Sequence, residues 1–189
     1  MAKEVEIKIR LESAEAGRKL LRNSGFEEHC PRTLETNDLF DTAGQSLRSS
    51  RKLLRLRTYG DRHILTYKGP PEPGRFKVRE EVEVEVGDAG SLRKILERLS
   101  FRRTFRYEKF RTEYRRPGEA GHVMLDETPI GVYLELEGDP HWIDGVAREL
   151  GFGEACYVRD SYGTLYERHR EIHGGDPEAM VFPREDQRQ

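Results

Sequence analysis

Glu4, Glu6 and Lys8 stand at alternate positions of the segment KEVEIKIRL, with Val5 and Ile7 between them and Ile9 following. Successive side chains of an extended strand point to opposite faces, so the two carboxylates and the ammonium share one side and the aliphatic residues take the other. The same sorting gives charged rows at Arg55 and Arg57 in KLLRLRTY, and at Arg75, Lys77, Arg79, Glu81, Glu83 and Glu85 in RFKVREEVEVEV. Lys109 and Arg111 in EKFRTEY and Glu135 and Glu137 in VYLELEG complete the set. An open sheet could solvate any one of these rows; five rows of mixed sign, each backed by apolar residues, favour a shared chamber. Lys8, Arg55, Arg57, Lys68, Arg79, Lys109 and Arg111 would suit a polyanion, because arginine grips phosphate oxygens in pairs. Glu4, Glu6, Glu81, Glu83, Glu135 and Glu137, with Asp126 nearby, would suit a hard divalent cation such as Mg²⁺ or Mn²⁺, which takes oxygen ligands. A triphosphate accompanied by metal ions satisfies both sets together.

Period-two alternation broken by turn residues predicts eight strands, at 3–11, 36–40, 52–59, 63–68, 75–86, 103–114, 123–126 and 131–137. The connections YGDR, GPPEPG, RPGEAG and ETPIG supply the Gly, Pro and Asp of hairpin turns. Helical spacing predicts helices at 13–24, 91–99, 141–150 and 161–173. Eight antiparallel strands suffice to close a barrel with room for side chains or one small ligand. The expected fold class is therefore α+β, a closed eight-stranded antiparallel barrel with helices packed outside. Residues 1–173 form the expected tunnel domain, and 174–189 read as a flexible tail. Arg75, Lys77, Glu85, Arg103, Arg106 and Arg115 read as solvated at barrel rims, and Trp142 reads as core on a helical stripe.

The composition narrows the function. Charged residues make up 36% of the 189, yet the net charge is −2, so there is no basic excess of the kind a nucleic-acid surface shows. Two cysteines, Cys30 and Cys156, without CxxC spacing suggest neither a disulfide framework nor a structural zinc site. No apolar run approaches the length of a membrane span, and the expected location is the cytoplasm.

EVEIK is similar to the E-x-E-x-K signature of the CYTH family, the triphosphate tunnel metalloenzymes that include class IV adenylyl cyclases and thiamine triphosphatases. The resemblance continues in order through LFDT, LRLR, LTYKGP, REEVEVEV, EKFRTEY, LDE and YLELEG, and VRDSYGTLY around Ser161 and Tyr162 looks like the family's C-terminal segment. It covers about residues 3–167. It implies a tunnel that binds a triphosphate through Lys and Arg and a divalent metal through glutamates. Carried over, Glu4, Glu6, Glu135 and Glu137, helped by Glu81, Glu83 and Asp126, would hold metal. Lys8, Arg55, Arg57, Lys68, Arg79, Lys109 and Arg111 would grip phosphates, and Glu4, Glu6, Lys8, Arg55, Arg57 and Lys68 would carry the chemistry. Some relatives close the tunnel with a late lysine, and none follows here. Relatives are often dimers, which makes a homodimer a further expectation.

Two reactions fit such a site. Water attacking the terminal phosphorus of inorganic, nucleoside or thiamine triphosphate gives phosphate and a diphosphate; the ribose 3′-hydroxyl of ATP attacking the α-phosphorus gives cyclic AMP and pyrophosphate. A non-catalytic module that binds polyphosphate or nucleotide is the alternative from another class. No nucleobase-reading motif stands out, which tilts the reading toward hydrolysis.

Overall fold

Charged rows backed by aliphatic rows on five strands come together in one chamber when the sheet closes on itself, and the computed structural model, which describes residues 3–184, shows that closure. The strands are β1 (Lys3–Leu11), β2 (Glu27–Thr42), β3 (Leu53–Tyr59), β4 (Arg62–Lys68), β5 (Lys77–Val86), β6 (Phe101–Arg115), β7 (His122–Thr128) and β8 (Gly131–Glu137), with a short β9 (Ala179–Met180). Their order is β2-β3-β4-β5-β1-β8-β7-β6, and β2 pairs with β6 to close an antiparallel barrel. β9 adds to β6 in parallel beyond the ring.

Helices α1 (Ala14–Asn23) and α4 (Pro140–Glu149) cover β1, β7 and β8. Ser13 caps α1, and Asp139 caps α4 with Pro140 in its first turn. Their apolar faces meet the outward residues of the strands: Ile7, Ile9, Leu134 and Leu136 pack with Leu21, Ile143, Val146 and Ala147 in the main core. Each fully buried aliphatic side chain contributes about 1.5–3 kcal/mol. Trp142 belongs to this packing, as expected. A Cβ at Gly121 or Gly138 would lie within 3 Å of its ring, so two glycines make room for the indole. A short turn of helix, α2 (Ser46–Ser49), and α3 (Ala89–Arg98) flank β2, β3 and β6, while α5 (Tyr162–His173) starts at one end of the barrel.

Four features differ from the sequence expectation. β2 begins at Glu27 rather than at 36, because pairing with β6 carries it through Pro31 by way of register shifts. α3 begins two residues earlier than expected, since Asp88 accepts from Gly90 N and Ser91 N and so caps it. Val82 and Val84, expected as core, are 52% and 54% exposed on the outer face of β5, between the ends of the strand, where Val78 and Val86 do pack against the cores that α4 and α3 help form. The described part of the expected loose tail is docked: β9 pairs with β6, Met180 is buried, and Phe182 packs on Phe110 with ring centroids 5.1 Å apart. Residues 185–189 lie outside the described residues.

Candidate active site

The inward faces of the strands line a cavity of about 240 Å³. β1 places Glu4, Glu6 and Lys8 there; β3 places Arg55 and Arg57; β4 places Lys68; β5 places Lys77, Arg79, Glu81 and Glu83. β6 adds Tyr107, Lys109, Arg111 and Glu113, and β8 adds Glu135 and Glu137. Cross-strand register sets Lys8 against Glu135, Lys68 against Glu81 and Arg111 against Asp126, so opposite charges face one another around the ring.

Two walls differ in character. On the carboxylate wall, Lys8 donates to Glu6 at 2.8 Å and lies 3.2 Å from Glu135, Lys77 also donates to Glu6, and Lys68 donates to both oxygens of Glu4 at 2.6 and 2.5 Å. Burial opposes the charge on Glu6, yet Lys77, Lys8 and Lys68 together hold its carboxyl well below the usual range. Burial likewise opposes the Lys8 charge, but Glu135 and Glu6 hold its ammonium above the ordinary lysine range. Lys77 goes the other way: burial, with Lys8 and Lys68 nearby, depresses it despite Glu6. Burial raises the Glu81 carboxyl to about 7, and Glu4 and Glu83 add to the rise against Lys68 and Arg55.

On the cation wall, Asp126 anchors the geometry. Its oxygens accept from Lys109 Nζ at 2.9 Å, from Arg111 Nε and Nη2 at 2.7 Å each, and from the Tyr162 hydroxyl at 2.7 Å. Glu35 is buried behind the same cations, 3.5 Å from Lys109 and 3.9 Å from Arg111, and accepts from Asn37 Nδ2 at 2.9 Å. Burial opposes its charge, but Lys109, Arg111, Arg57 and Arg55 bring its carboxyl down to about 2. A carboxylate with a folded pKa below its unfolded value contributes stability above about pH 4.3 and loses it as the pH falls toward 2, an amount of about 3 kcal/mol. Glu35→Gln should therefore flatten the acid limb of stability between pH 4.3 and 2, read by urea unfolding at each pH. An unchanged limb would remove Glu35 from the network.

Arg55 and Arg57 face the lumen from β3. Arg55 reaches Tyr107 Oη at 3.4 Å and Thr66 Oγ1 at 3.3 Å, and both guanidiniums approach Glu83. Their Nε atoms are buried with no hydrogen-bond partner. Buried donors without a partner in side chains that line the chamber leave a place for an acceptor from outside the chain.

A divalent cation needs carboxylate oxygens free to turn toward it. Among the described residues, no three His, Cys, Asp or Glu side chains are gathered as a ready metal cage. The reason is local: lysines occupy Glu4 and Glu6. The chemistry nevertheless fits, because Glu6 lies directly across from Glu137 in register and Glu81 is crowded by Glu4 and Glu83, like-charge contacts that a hard cation relieves.

Every sequence-predicted site residue except Asp126 lines this cavity, and Asp126 bonds to two that do. Arg79 lines it while donating to the carbonyls of Gly69 and Arg51, both at 2.6 Å, so it also ties the ends of β3 and β4 together. The sequence reading missed three participants. Lys77 shares the charged row of Arg79 and Glu81 but was placed at a rim, because parity gives the face and not the depth. Glu35 fell before the expected start of its strand. Tyr162 was noted only for its segment.

The CYTH domain family model matches residues 2–162. The chain belongs to the CYTH family. A curated relative from Methanocaldococcus jannaschii, named as a candidate adenylate cyclase, is 29% identical over 135 residues, covering 71% of this CYTH chain and 75% of the relative. The crystal structure of a candidate adenylate cyclase from Vibrio parahaemolyticus superposes with a TM-score of 0.75 at 20% identity, covering 87% of this chain and 97% of that one. A candidate adenylyl cyclase from Hippeastrum, described as having a dominant triphosphatase activity, superposes with a TM-score of 0.62 at 22% identity, covering 88% and 96%. The closed CYTH barrel with helices outside is thus shared across these structures. No helix among the described residues is long and apolar enough to cross a membrane.

Proposed function

We propose that this CYTH protein is a divalent-metal-dependent enzyme that hydrolyses a triphosphate held in its barrel, whether inorganic, nucleoside or thiamine triphosphate. The observation that carries this reading is the set of cations lining the chamber, Lys8, Arg55, Arg57, Lys68, Lys109 and Arg111, among which Arg55 and Arg57 keep buried Nε donors without a partner. Phosphate oxygens are the acceptors that such donors lack. Glu4, Glu6, Glu135 and Glu137, with Glu81 and Glu83, would hold Mg²⁺ or Mn²⁺, which when bound offsets phosphate charge and activates water. Arg55, Arg57 and Arg111 orient the phosphates and stabilise oxygens whose charge grows in the transition state. Asp126 serves in this reading as the brace of the cation wall rather than as a metal ligand, since four donors already occupy its oxygens.

A phosphate chain competes with Glu4 and Glu6 for Lys68, Lys8 and Lys77. Drawing those ammoniums away frees carboxylates for the cation, so the two ligands reinforce one another. Mg²⁺ alone should shift the melting temperature little; Mg²⁺ with tripolyphosphate at a hundredfold excess over Kd should raise it by roughly 5–10 °C. A full shift with Mg²⁺ alone, or none with both, would refute the coupling.

Cyclisation of ATP is the second reading, favoured by the name of the Methanocaldococcus relative. One product assay separates the two. The protein is incubated with ATP, inorganic triphosphate or thiamine triphosphate and Mg²⁺ or Mn²⁺, and orthophosphate, pyrophosphate and cyclic AMP are resolved. Orthophosphate with a diphosphate supports hydrolysis; cyclic AMP with pyrophosphate replaces it by cyclisation; binding without product leaves a non-catalytic phosphate-binding module.

A further inference from the structure

A second cavity, of about 820 Å³, lies between α2, α5 and the loop before β5. That volume is in the range of small-molecule pockets. Leu39, Leu47, Leu53 and Phe105 give it an apolar wall, while its charged lining is unbalanced, with seven Lys and Arg side chains against four Asp and Glu. All four carboxylates are committed within the chain. Asp41 accepts from the backbone N–H groups of Thr42, Leu47 and Arg48, Glu72 pairs with Lys3, Asp160 with Arg168, and Glu167 with Arg48. The cations are not all so engaged. Among the described residues, the side chains of Arg51, Lys52 and Arg170 have neither a hydrogen bond nor an ion pair. Arg79 shows the same excess of positive charge: burial lowers it below the ordinary arginine range despite Glu4, Glu6 and Glu81, and the nearby Arg51 adds to the fall.

The imbalance says what kind of occupant fits. A neutral organic group at the end of a chain held in the lumen would match the apolar wall but bring no charge to Arg51, Lys52 and Arg170. A separate ligand with its own phosphate matches both.

We propose that this cavity is a second ligand site, which takes a phosphorylated organic molecule of nucleotide size while the lumen keeps its own ligand. Arg51, Lys52 and Arg170 hold the phosphate, and the organic body lies against Leu39, Leu47 and Phe105. Leu53, Lys77, Arg79 and Ser161 line both cavities, so the two sites share a wall that contains two cations. Anions on either side divide Lys77 and Arg79 between them. Each ligand therefore weakens the other, and by the same factor.

Three probes test the site by calorimetry without Mg²⁺: adenosine 5′-monophosphate, which has both parts of the expected ligand but no triphosphate to be cleaved, adenosine, and orthophosphate. The nucleotide should bind the wild type one to one and more tightly than either fragment. Arg51→Gln and Arg170→Gln should each weaken it about ten- to hundredfold, and either stands in if the other does not fold. Gly163→Leu gives a test independent of charge, because a Cβ at this lining position would meet nothing nearer than 3.8 Å, so the side chain fills the cavity without a backbone clash and should exclude the nucleotide. Arg57→Gln, which alters the lumen alone, should leave nucleotide affinity unchanged. Saturating nucleotide should raise the Kd for tripolyphosphate about fivefold or more and then reach a plateau. No nucleotide binding at millimolar concentration, or nucleotide affinity that falls with Arg57→Gln and not with folded Arg51 or Arg170 variants, overturns the proposal. So does a Kd for tripolyphosphate that rises without limit, since the nucleotide then sits in the lumen, and so does orthophosphate bound as tightly as the nucleotide. A wild type that binds the nucleotide but never tripolyphosphate, with or without Mg²⁺, refutes the lumen reading and leaves the second site standing.

Discussion

Glu6→Gln is expected to lower the rate of phosphate release from a triphosphate by about 10²–10³-fold, the loss typical of removing one preorganised electrostatic group. Glu6 is the most heavily engaged carboxylate of its wall, bonded by Lys8 and Lys77 and lying opposite Glu137 in register. The glutamine keeps the volume and removes the charge. Two consequences diverge. The metal-holding set loses a central member, so turnover falls; Lys8 and Lys77 lose a competitor, so affinity for the phosphate chain survives. Phosphate release and calorimetric binding of tripolyphosphate, measured on the same preparation, separate them. Melting must be followed in parallel, because removing one partner of a buried pair costs about 3–5 kcal/mol. A folded variant that retains near-native turnover would exclude Glu6 from the chemistry.

Asp126→Asn should produce the largest loss of stability among the site variants, about 3–5 kcal/mol. Four donors converge on this carboxylate, and the amide can accept at only one of its two terminal atoms. In a chain of this length that loss lowers the melting temperature by roughly 6–20 °C. The experiment also decides between two roles. A brace of the cation wall loses stability without any added metal and shows an unchanged Mg²⁺ requirement. A metal ligand shows the reverse, with metal-free stability near wild type and a raised Mg²⁺ requirement.

The charged rows of β1, β3, β5, β6 and β8 were legible in the sequence because period-two alternation reports which face is wet, and the chamber needs only that. What parity leaves open is depth and partnership. Lys77 and Glu85 share a face of β5, yet Lys77 donates to Glu6 inside while Glu85 meets Arg62 at the exposed rim, and only the tilt of the closed barrel distinguishes them. The first half of β2 escaped because Pro31 and the scarcity of apolar residues in EEHCPRTLE erase the local signal; its pairing with β6 is a long-range fact. Glu35 was lost with it. Tyr162 was hidden for a different reason: a tyrosine following a helix cap is ordinary, and nothing local says that the helix begins at the end of a tunnel. The β9 contact has the same character, two residues whose partner strand lies far back in the chain.

The position of β1 in the ring bears on how the molecule is made. β1 sits between β5 and β8, so both of its partners in the ring are synthesised well after it. Its aliphatic face has no helix pair to cover it until α4 exists. Such topology gives a high contact order and slow, late consolidation. While the chain grows, β1 therefore waits first for β5 and then for β8, and its charged row, which lines the chamber in the finished barrel, keeps one of its faces hydrated until the ring closes.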